Sequence, residues 1–357
     1  MQDVLPTEAA DLELESSDAQ EVEPGVWRVP LPLPFGAHTV NAYLLRGANP
    51  RDGWLLIDCP LATSLAEDTL QQALARARIT PADIAAIVLT HAHPDHLGAA
   101  GEWQRRSDAP VYLHTDEADD LVPLWQDFSN SAFLDAGRAL VAHGMPAEEA
   151  QALITRAVQV RSLLVPPQQP TLLEHGQRLT LAGATYTVHW TPGHSDGHIC
   201  LLRDDGLLLA GDAILPGLRP TIGWYPWSRP DPLADQFASL SALGQLTARR
   251  VLSGHGQPFS NLRERADALY GSYTRELATI ALRLAAAPDG LTAYALASTL
   301  YAARWHTLES RLIAMAEIVA RLEHLNAIGR AERSADGDGM LIYHRTHETS
   351  QLQARVS

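Results

Sequence analysis

The segment Thr90–His96, with the sequence THAHPDH, is the feature that most restricts what this 357-residue chain can fold into. It follows Ile84–Leu89, a continuous apolar run of strand length, which is typical of a strand buried on both faces. Three histidines and one aspartate therefore stand where a buried strand gives way to a loop. Because only 15 residues of the chain are histidine, chance placement of this HxHxDH pattern has a probability of roughly two in a thousand.

The spacing of these side chains suits metal binding. His91 and His93 are two residues apart on an extended segment, so both can reach one ion. Asp95 and His96 follow a proline on the turn into the next helix, where they can face a second ion. Neutral imidazoles and carboxylates are ligands that zinc and related divalent ions prefer in proteins. We prefer this interpretation to that of a polar surface loop.

Three further strand ends carry a single histidine or aspartate each. His194 lies in the turn TPGHSDGH, Asp212 ends the strand LLAGD, and His255 stands between two glycines in SGHG. Each alone is a weak signal, since such residues are commonly surface or capping residues. Together the four segments supply seven candidate ligands, which suits two ions that share one carboxylate: His91, His93, Asp95, His96, His194, Asp212 and His255.

Residues 25–261 resemble the metallo-β-lactamase superfamily in the order and spacing of these motifs. The resemblance implies an α+β fold, an αββα sandwich, with one metal held by His91, His93 and His194. It implies a second metal held by Asp95, His96 and His255, with Asp212 bridging the two. By the same resemblance, Asp58 in LLIDCP and His198 in the GHSDGH turn support the ligands by hydrogen bonds rather than binding metal themselves.

Departures from the patterns of several subfamilies narrow the comparison. His93 replaces the glutamate of flavodiiron oxidoreductases, and no cysteine occupies a ligand position as in antibiotic-hydrolysing enzymes. Gly256 follows the last histidine, where glyoxalase II enzymes have a Glu-Tyr type of sequence. Ala213–Leu215 lack the tyrosine that acyl-homoserine lactonases have after the bridging aspartate. The SGHG motif and the C-terminal helices resemble the lactamase-beta-2-like branch, some of whose members are endoribonucleases.

The C-terminal region has a different pattern from the rest. Apolar residues recur at spacings of three and four from Tyr270 to Leu284 and from Leu308 to Leu322, with a short helix predicted between them at Thr292–Tyr301. A predicted hairpin follows, which favours a winged helix over a generic helical cap. The predicted organisation is an acidic disordered tail at 1–24, a catalytic domain at 25–261 with a helical insertion at 116–165, a winged-helix-like domain at 262–346 and a tail at 347–357.

Charge and composition exclude several classes of protein. The formal net charge is −15, and all 27 basic residues are arginine. No region has the basic excess that supplies non-specific affinity for nucleic acid. The sequence has no apolar run of membrane-spanning length and no secretory leader, so we expect a cytoplasmic protein. Cys59 and Cys200 lie in no metal-binding or disulfide spacing and are expected to be reduced and buried.

These observations predict a metal-dependent hydrolase that uses a metal-bridging hydroxide on an ester, thioester or lactone of a small molecule. The alternatives are a phosphodiesterase or endoribonuclease of the lactamase-beta-2-like type and a DNA-binding regulator. Two divalent ions are expected, with zinc favoured and manganese or iron as alternatives, and Asp95 is the candidate for proton transfer. The loop with Trp224, Tyr225 and Trp227 is a candidate substrate wall. A homodimer is plausible, nucleic acid is possible but not favoured, and no membrane contact is expected.

Overall fold

The computed structural model describes residues 18–34 and 39–346. Its larger sheet has seven strands in chain order, antiparallel from the first to the fourth and parallel from the fourth to the seventh. The strands are β1 (Gln20–Glu23), β2 (Val26–Pro32), β3 (Thr39–Arg46), β4 (Trp54–Ile57), β5 (Ile84–Val88), β6 (Val111–His114) and β7 (Thr171–Leu173).

The second sheet has five strands in reversed chain order, and only its last two strands are parallel. A turn at Asp204–Gly206 joins its third and fourth strands, which pair Leu202 with Leu208. A separate two-stranded hairpin lies near the C-terminus. These strands are β8 (Arg178–Leu181), β9 (Ala184–Trp190), β10 (Ile199–Arg203), β11 (Leu207–Gly211), β12 (Arg250–Ser253), β13 (Ala331–Ala335) and β14 (Leu341–Arg345).

Ten α-helices are found within the described residues. Short 3₁₀ turns span Pro81–Asp83 and Ala302–Arg304, and a π-helical turn spans Leu121–Gln126. The α-helices are α1 (Ser64–Ala77), α2 (Pro94–Leu97), α3 (Ala100–Ser107), α4 (Thr115–Asp120), α5 (Ser131–Ala142), α6 (Ala147–Arg161), α7 (Pro232–Leu243), α8 (Leu262–Ala285), α9 (Ala293–Leu300) and α10 (Leu308–Ala327).

Three apolar clusters hold four layers together, in the order helix, sheet, sheet, helix. The middle cluster joins the two sheets, with Tyr43 and Val88 of the larger sheet against Val188 and Leu209 of the smaller one. An outer cluster buries Trp103 of α3 and side chains of α1 on the larger sheet. The largest cluster joins the smaller sheet to α7 and to the C-terminal helices. The predicted αββα sandwich is the arrangement that these clusters build.

The structure contradicts the predicted disordered N-terminal tail at the last residues of that tail. Residues 20–24 were expected to belong to a disordered tail, but β1 pairs with β2 through Gln20–Arg28 and Glu21–Trp27. The polar composition of this segment concealed an edge strand, whose backbone pairing needs no apolar side chains. Residues 1–17 and the predicted tail at 347–357 lie outside the described residues.

The region after residue 261 contains three helices and a hairpin in the predicted order. It shares the largest apolar cluster with the catalytic sheet, since Tyr273, Ile318 and Tyr343 pack in the same cluster as Leu208 and Val251. Helix α10 is buried on all sides along 314–322. In the described part of the chain, no helix combines the length and hydropathy needed to cross a membrane.

Candidate metal centre

The seven predicted ligands lie together at one edge of the sandwich. The segment with His91, His93 and the start of α2 follows β5, and His194 follows β9. Asp212 follows β11 and His255 follows β12. Strands β9, β11 and β12 of the smaller sheet run in the same direction. Their C-terminal ends meet the end of β5 from the larger sheet, which brings residues that are distant in sequence into one site.

The first group of ligands consists of three imidazoles. His91 Nε2 lies 3.0 Å from His93 Nδ1, which lies 2.8 Å from His194 Nε2. These three nitrogen atoms converge on one point, and the arrangement could hold a metal ion. The structure therefore brings His91 and His93 together with His194.

The second group surrounds the carboxylates of Asp95 and Asp212. His255 Nε2 lies 3.5 Å from Asp95 Oδ2 and 3.4 Å from Asp212 Oδ2. His96 Nε2 lies 3.9 Å from Asp95 Oδ2 and 3.6 Å from Asp212 Oδ1. Asp212 Oδ2 is also 3.5 Å from His194 Nε2, so this carboxylate approaches histidines of both groups.

Hydrogen bonds on the far side of the rings fix which nitrogen faces the centre. His194 Nδ1 donates to the carbonyl of Thr221 at 2.8 Å, and His255 Nδ1 donates to the carbonyl of Thr39 at 2.7 Å. A carbonyl only accepts, so each Nδ1 carries the hydrogen and, in the neutral ring, each Nε2 keeps a lone pair for a metal. His96 Nδ1 is held in the same way by Asp58 Oδ2 at 2.8 Å.

Two observations test whether the site fits a cation. His96 Nε2 and Asp212 Oδ1 are buried, and neither has a hydrogen-bond partner. Buried polar atoms without partners are uncommon, and two of them aimed at one point suit a ligand that accepts lone pairs. A Cβ atom at Gly254 would lie 2.2 Å from Asp212 Oδ1, so only glycine lets the SGHG loop pass this close to the centre.

Asp58 and His198 contact the ligand segments rather than the convergence point. Asp58 accepts from Thr90 N at 2.8 Å while it holds His96, and its backbone has a φ of +58°. Such a conformation is uncommon for a residue other than glycine and costs about 1–3 kcal/mol. His198 Nε2 accepts from the backbone N–H of Asp212 at 2.9 Å, and its Nδ1 lies 2.9 Å from Thr191 Oγ1.

The electrostatics differ between the two groups. Burial and the adjacent His194 lower the pKa of His93 to about 3, so its ring is neutral at pH 7. Burial also lowers the pKa of His255, but Asp212 and Asp95 outweigh it and raise this pKa to about 10. The carboxylates that attract a proton to His255 favour a divalent cation at the same point.

The family model of the metallo-β-lactamase superfamily matches residues 35–255, which contain all seven of these side chains. The chain belongs to the metallo-β-lactamase superfamily. It is a metal-dependent hydrolase, since its relatives carry hydrolase names and its histidine and aspartate groups could bind metal ions.

The chain is similar to superfamily members from bacteria and animals. It is 34% identical to the metallo-β-lactamase family protein TTHA1429 of Thermus thermophilus, with a TM-score of 0.79 over 91% of this chain and 100% of that one. It is 31% identical to the probable metallo-hydrolase YflN of Bacillus subtilis over 51% of this chain and 68% of the relative. It is 30% identical to the human acyl-coenzyme A thioesterase MBLAC2 over 68% of this chain and 87% of that protein.

A cavity of about 270 Å³ adjoins the metal centre of this superfamily member. His93 and His194 form part of its wall, and most of the remaining wall is apolar. The apolar side chains come mainly from the 116–165 segment and include Leu124, Trp125, Phe133, Leu153, Ile154 and Ala157. Three carboxyl groups also line it, and burial raises the pKa of Glu117 and Asp120 to about 7 and that of Asp196 to about 6.

The three aromatic residues of the predicted substrate wall lie in two different places. Tyr225 and Trp227 line the cavity, and their rings stack with centroids 5.2 Å apart. Trp224 does not line it, because its ring packs on the largest apolar cluster, with its centroid 5.9 Å from that of His143.

Two residues at the centre carried no sequence signal. Thr221 orients His194 through its carbonyl oxygen, a group that every residue type has. Glu117 lies in the segment predicted as a helical insertion, where an acidic residue is ordinarily a solvated one. It is buried, and it contacts two of the ligand-bearing loops.

Proposed function

We propose that this protein hydrolyses acyl thioesters or esters whose acyl chain lies in the apolar cavity beside His93 and His194. The observation that supports this proposal best is the cavity itself, because a long apolar wall next to two candidate metal ligands suits an aliphatic chain. The similarity to MBLAC2, named an acyl-coenzyme A thioesterase, points in the same direction. The segment from 116 to 165 supplies the chain-binding wall in this proposal.

The seven candidate ligands would hold two divalent ions, with zinc favoured by the imidazole-rich donor set. When bound, such ions bring the pKa of water toward 7 and polarise a carbonyl oxygen. Asp95 Oδ2 lies within 4 Å of both His96 and His255, so its carboxylate is placed to hold a proton of the attacking water. The water oxygen bonds to the acyl carbon, the bond to sulfur or oxygen breaks, and the leaving group takes up a proton.

The nuclease alternative has less support. Among the described residues that line the cavity, none is basic, and three are acidic. The described cavity lining therefore offers no arginine to pair with the phosphates of a polyanionic strand. We infer that the C-terminal region, with three helices followed by a hairpin, has winged-helix topology. It does not have the nucleic-acid role in this proposal, since α10 is buried along 314–322 and cannot enter a groove.

The purified protein is expected to bind about two divalent ions per chain and to hydrolyse acyl-coenzyme A substrates. A series with acyl chains from C2 to C16 and bis-p-nitrophenyl phosphate would be compared by kcat/KM. The His93→Ala variant removes one ligand and should lower acyl hydrolysis by at least about a hundredfold. Phosphodiester turnover without acyl turnover, or acyl turnover unaffected by His93→Ala, would contradict the proposal.

Filling the cavity is expected to change the chain-length preference. Ala157→Leu adds three carbons to a lining position of α6, and the loss of space for a few methylenes lowers kcat/KM for the longest acyl chains by about 10–200-fold. The shortest substrates should be turned over as before. Ala152→Leu on the same helix is the matched control, because Ala152 lies outside the cavity lining. Equal losses for all chain lengths would show that the acyl chain lies elsewhere.

A further inference from the structure

Glu117 is a buried carboxylate whose hydrogen bonds all go to loops that carry candidate ligands. It lies on α4 with only 3% of its surface exposed. Its Oε2 accepts from Ala92 N at 2.7 Å, and its Oε1 accepts from Gly197 N at 3.0 Å and from the hydroxyl of Ser195. Both oxygens are therefore engaged, and by two different loops.

These two loops hold the first group of ligands. Ala92 stands between His91 and His93, and Ser195 directly follows His194. In sequence, Glu117 is 25 residues from Ala92 and 80 residues from Gly197, so the contacts form only in the folded chain.

The residues on both sides of Glu117 fit its contacts with the two loops. The peptide at Ala92 is held from both sides, because Trp125 Nε1 donates to its carbonyl at 3.0 Å while Glu117 accepts from its N–H. A Cβ atom at Gly197 would lie 2.6 Å from the backbone nitrogen of Glu117. Glycine at position 197 is therefore needed for the loop after His194 to reach the carboxylate.

We propose that Glu117 is a positioning residue of the metal centre, which holds the His91–His93 loop against the His194 loop at the spacing that one metal ion requires. The proposal rests on metal binding by His91, His93 and His194. Without the carboxylate, the two loops lose this common anchor, and the 2.8 Å approach of His93 Nδ1 to His194 Nε2 depends more on the metal ion itself. Residues that orient ligands in this way contribute about 10–100-fold to metal affinity.

The test compares Glu117→Gln and Glu117→Ala with Asp119→Asn in the full chain. Asp119 is an exposed acid on the same helix, so its variant controls for the loss of one negative charge. Zinc affinity would be measured by chelator competition, with metal content determined separately. We expect one of two bound ions to bind about 10–100-fold more weakly in Glu117→Ala. Glu117→Gln should lie between this variant and the unmodified chain, because its amide oxygen can still accept a hydrogen bond from one loop.

Thermal unfolding separates a positioning role from a purely structural one. If Glu117 positions the ligands, its replacement reduces the rise in Tm that zinc produces more than it reduces the Tm of the chelator-treated protein. Any of three results would overturn the proposal. They are equal falls in the Tm with zinc and the Tm after chelator treatment, an unchanged zinc affinity, and a Glu117→Gln variant that does not fold. Because zinc affinity is measured without substrate, failure of the acyl-hydrolase proposal would leave this result intact, and the two failures are distinguishable.

Discussion

Replacing Asp212 with alanine is expected to lower hydrolysis by at least about a thousandfold, which corresponds to about 4 kcal/mol of activation free energy. Asp212 Oδ2 lies 3.5 Å from His194 Nε2 and 3.4 Å from His255 Nε2, and its Oδ1 lies 3.6 Å from His96 Nε2. No other carboxylate among the described residues approaches both histidine groups in this way. Its loss therefore removes a donor from both candidate metal positions at once.

The measurement is metal content per chain together with kcat and kcat/KM for an acyl substrate. Asp204→Ala is the matched control, because Asp204 is half exposed in the β10–β11 turn and its carboxylate pairs with Arg178 on the surface. An Asp212→Ala protein that kept two tightly bound ions and a tenth of the activity would contradict the bridging assignment. The circular dichroism spectrum should be retained, since Asp212 contributes no side chain to an apolar cluster.

The convergence of the candidate ligands was predictable because short-range sequence patterns and strand ends encode their positions. His91 and His93 are close in sequence and stand next to a strand that is recognisable from its apolar run. Asp212 and His255 were recognisable because each follows an apolar strand and is next to glycine. The αββα layers were predictable for the same reason, since buried strands leave an apolar signal that does not depend on their partners.

The residues that escaped prediction act through backbone groups or long-range contacts. Thr221 and Thr39 orient candidate ligands through backbone carbonyl oxygens. Every residue type has this group, so the sequence gives no sign of the role. Glu117 acquires its role only when the 116–165 segment folds over the site. Helix α7 was not predicted either, although Asp231 followed by Pro232 is a helix-start signal. A polar edge strand such as β1 has no apolar pattern to show.

The C-terminal helices make direct hydrogen bonds to a segment of the candidate metal centre. Three contacts from α8 and α10 hold the segment 220–224: Tyr273 Oη donates to Pro220 O at 2.7 Å, Arg321 Nη1 donates to Ile222 O at 2.6 Å and Trp224 N donates to Ala316 O at 3.0 Å. Thr221, which accepts from His194, lies within this segment. The helices therefore hold in place the carbonyl group that orients the candidate ligand His194.

Replacing Arg321 with methionine is expected to lower the free energy of unfolding by about 3–5 kcal/mol. Arg321 is fully buried and donates through Nε to Glu276 Oε2 at 3.0 Å. Its removal leaves Glu276 with Arg219 and Tyr301 as partners and takes away the hydrogen bond to Ile222 O. The measurement is urea unfolding, with Arg330→Met as control because Arg330 is exposed at the end of the same helical region.

The pH dependence of the stability lost in Arg321→Met shows whether the loss is electrostatic. Burial raises the pKa of Glu276, but Arg321 and Arg219 outweigh it and lower this pKa to about 2 in the folded chain. A carboxyl group whose folded pKa is depressed stabilises the protein above its unfolded pKa, near 4.5, and loses this contribution as the pH falls toward 2. The difference in stability between the unmodified chain and Arg321→Met should therefore narrow as the pH is lowered from 7 to 4. A difference independent of pH over this range would assign the loss to packing and to the Ile222 hydrogen bond, because neither of these titrates.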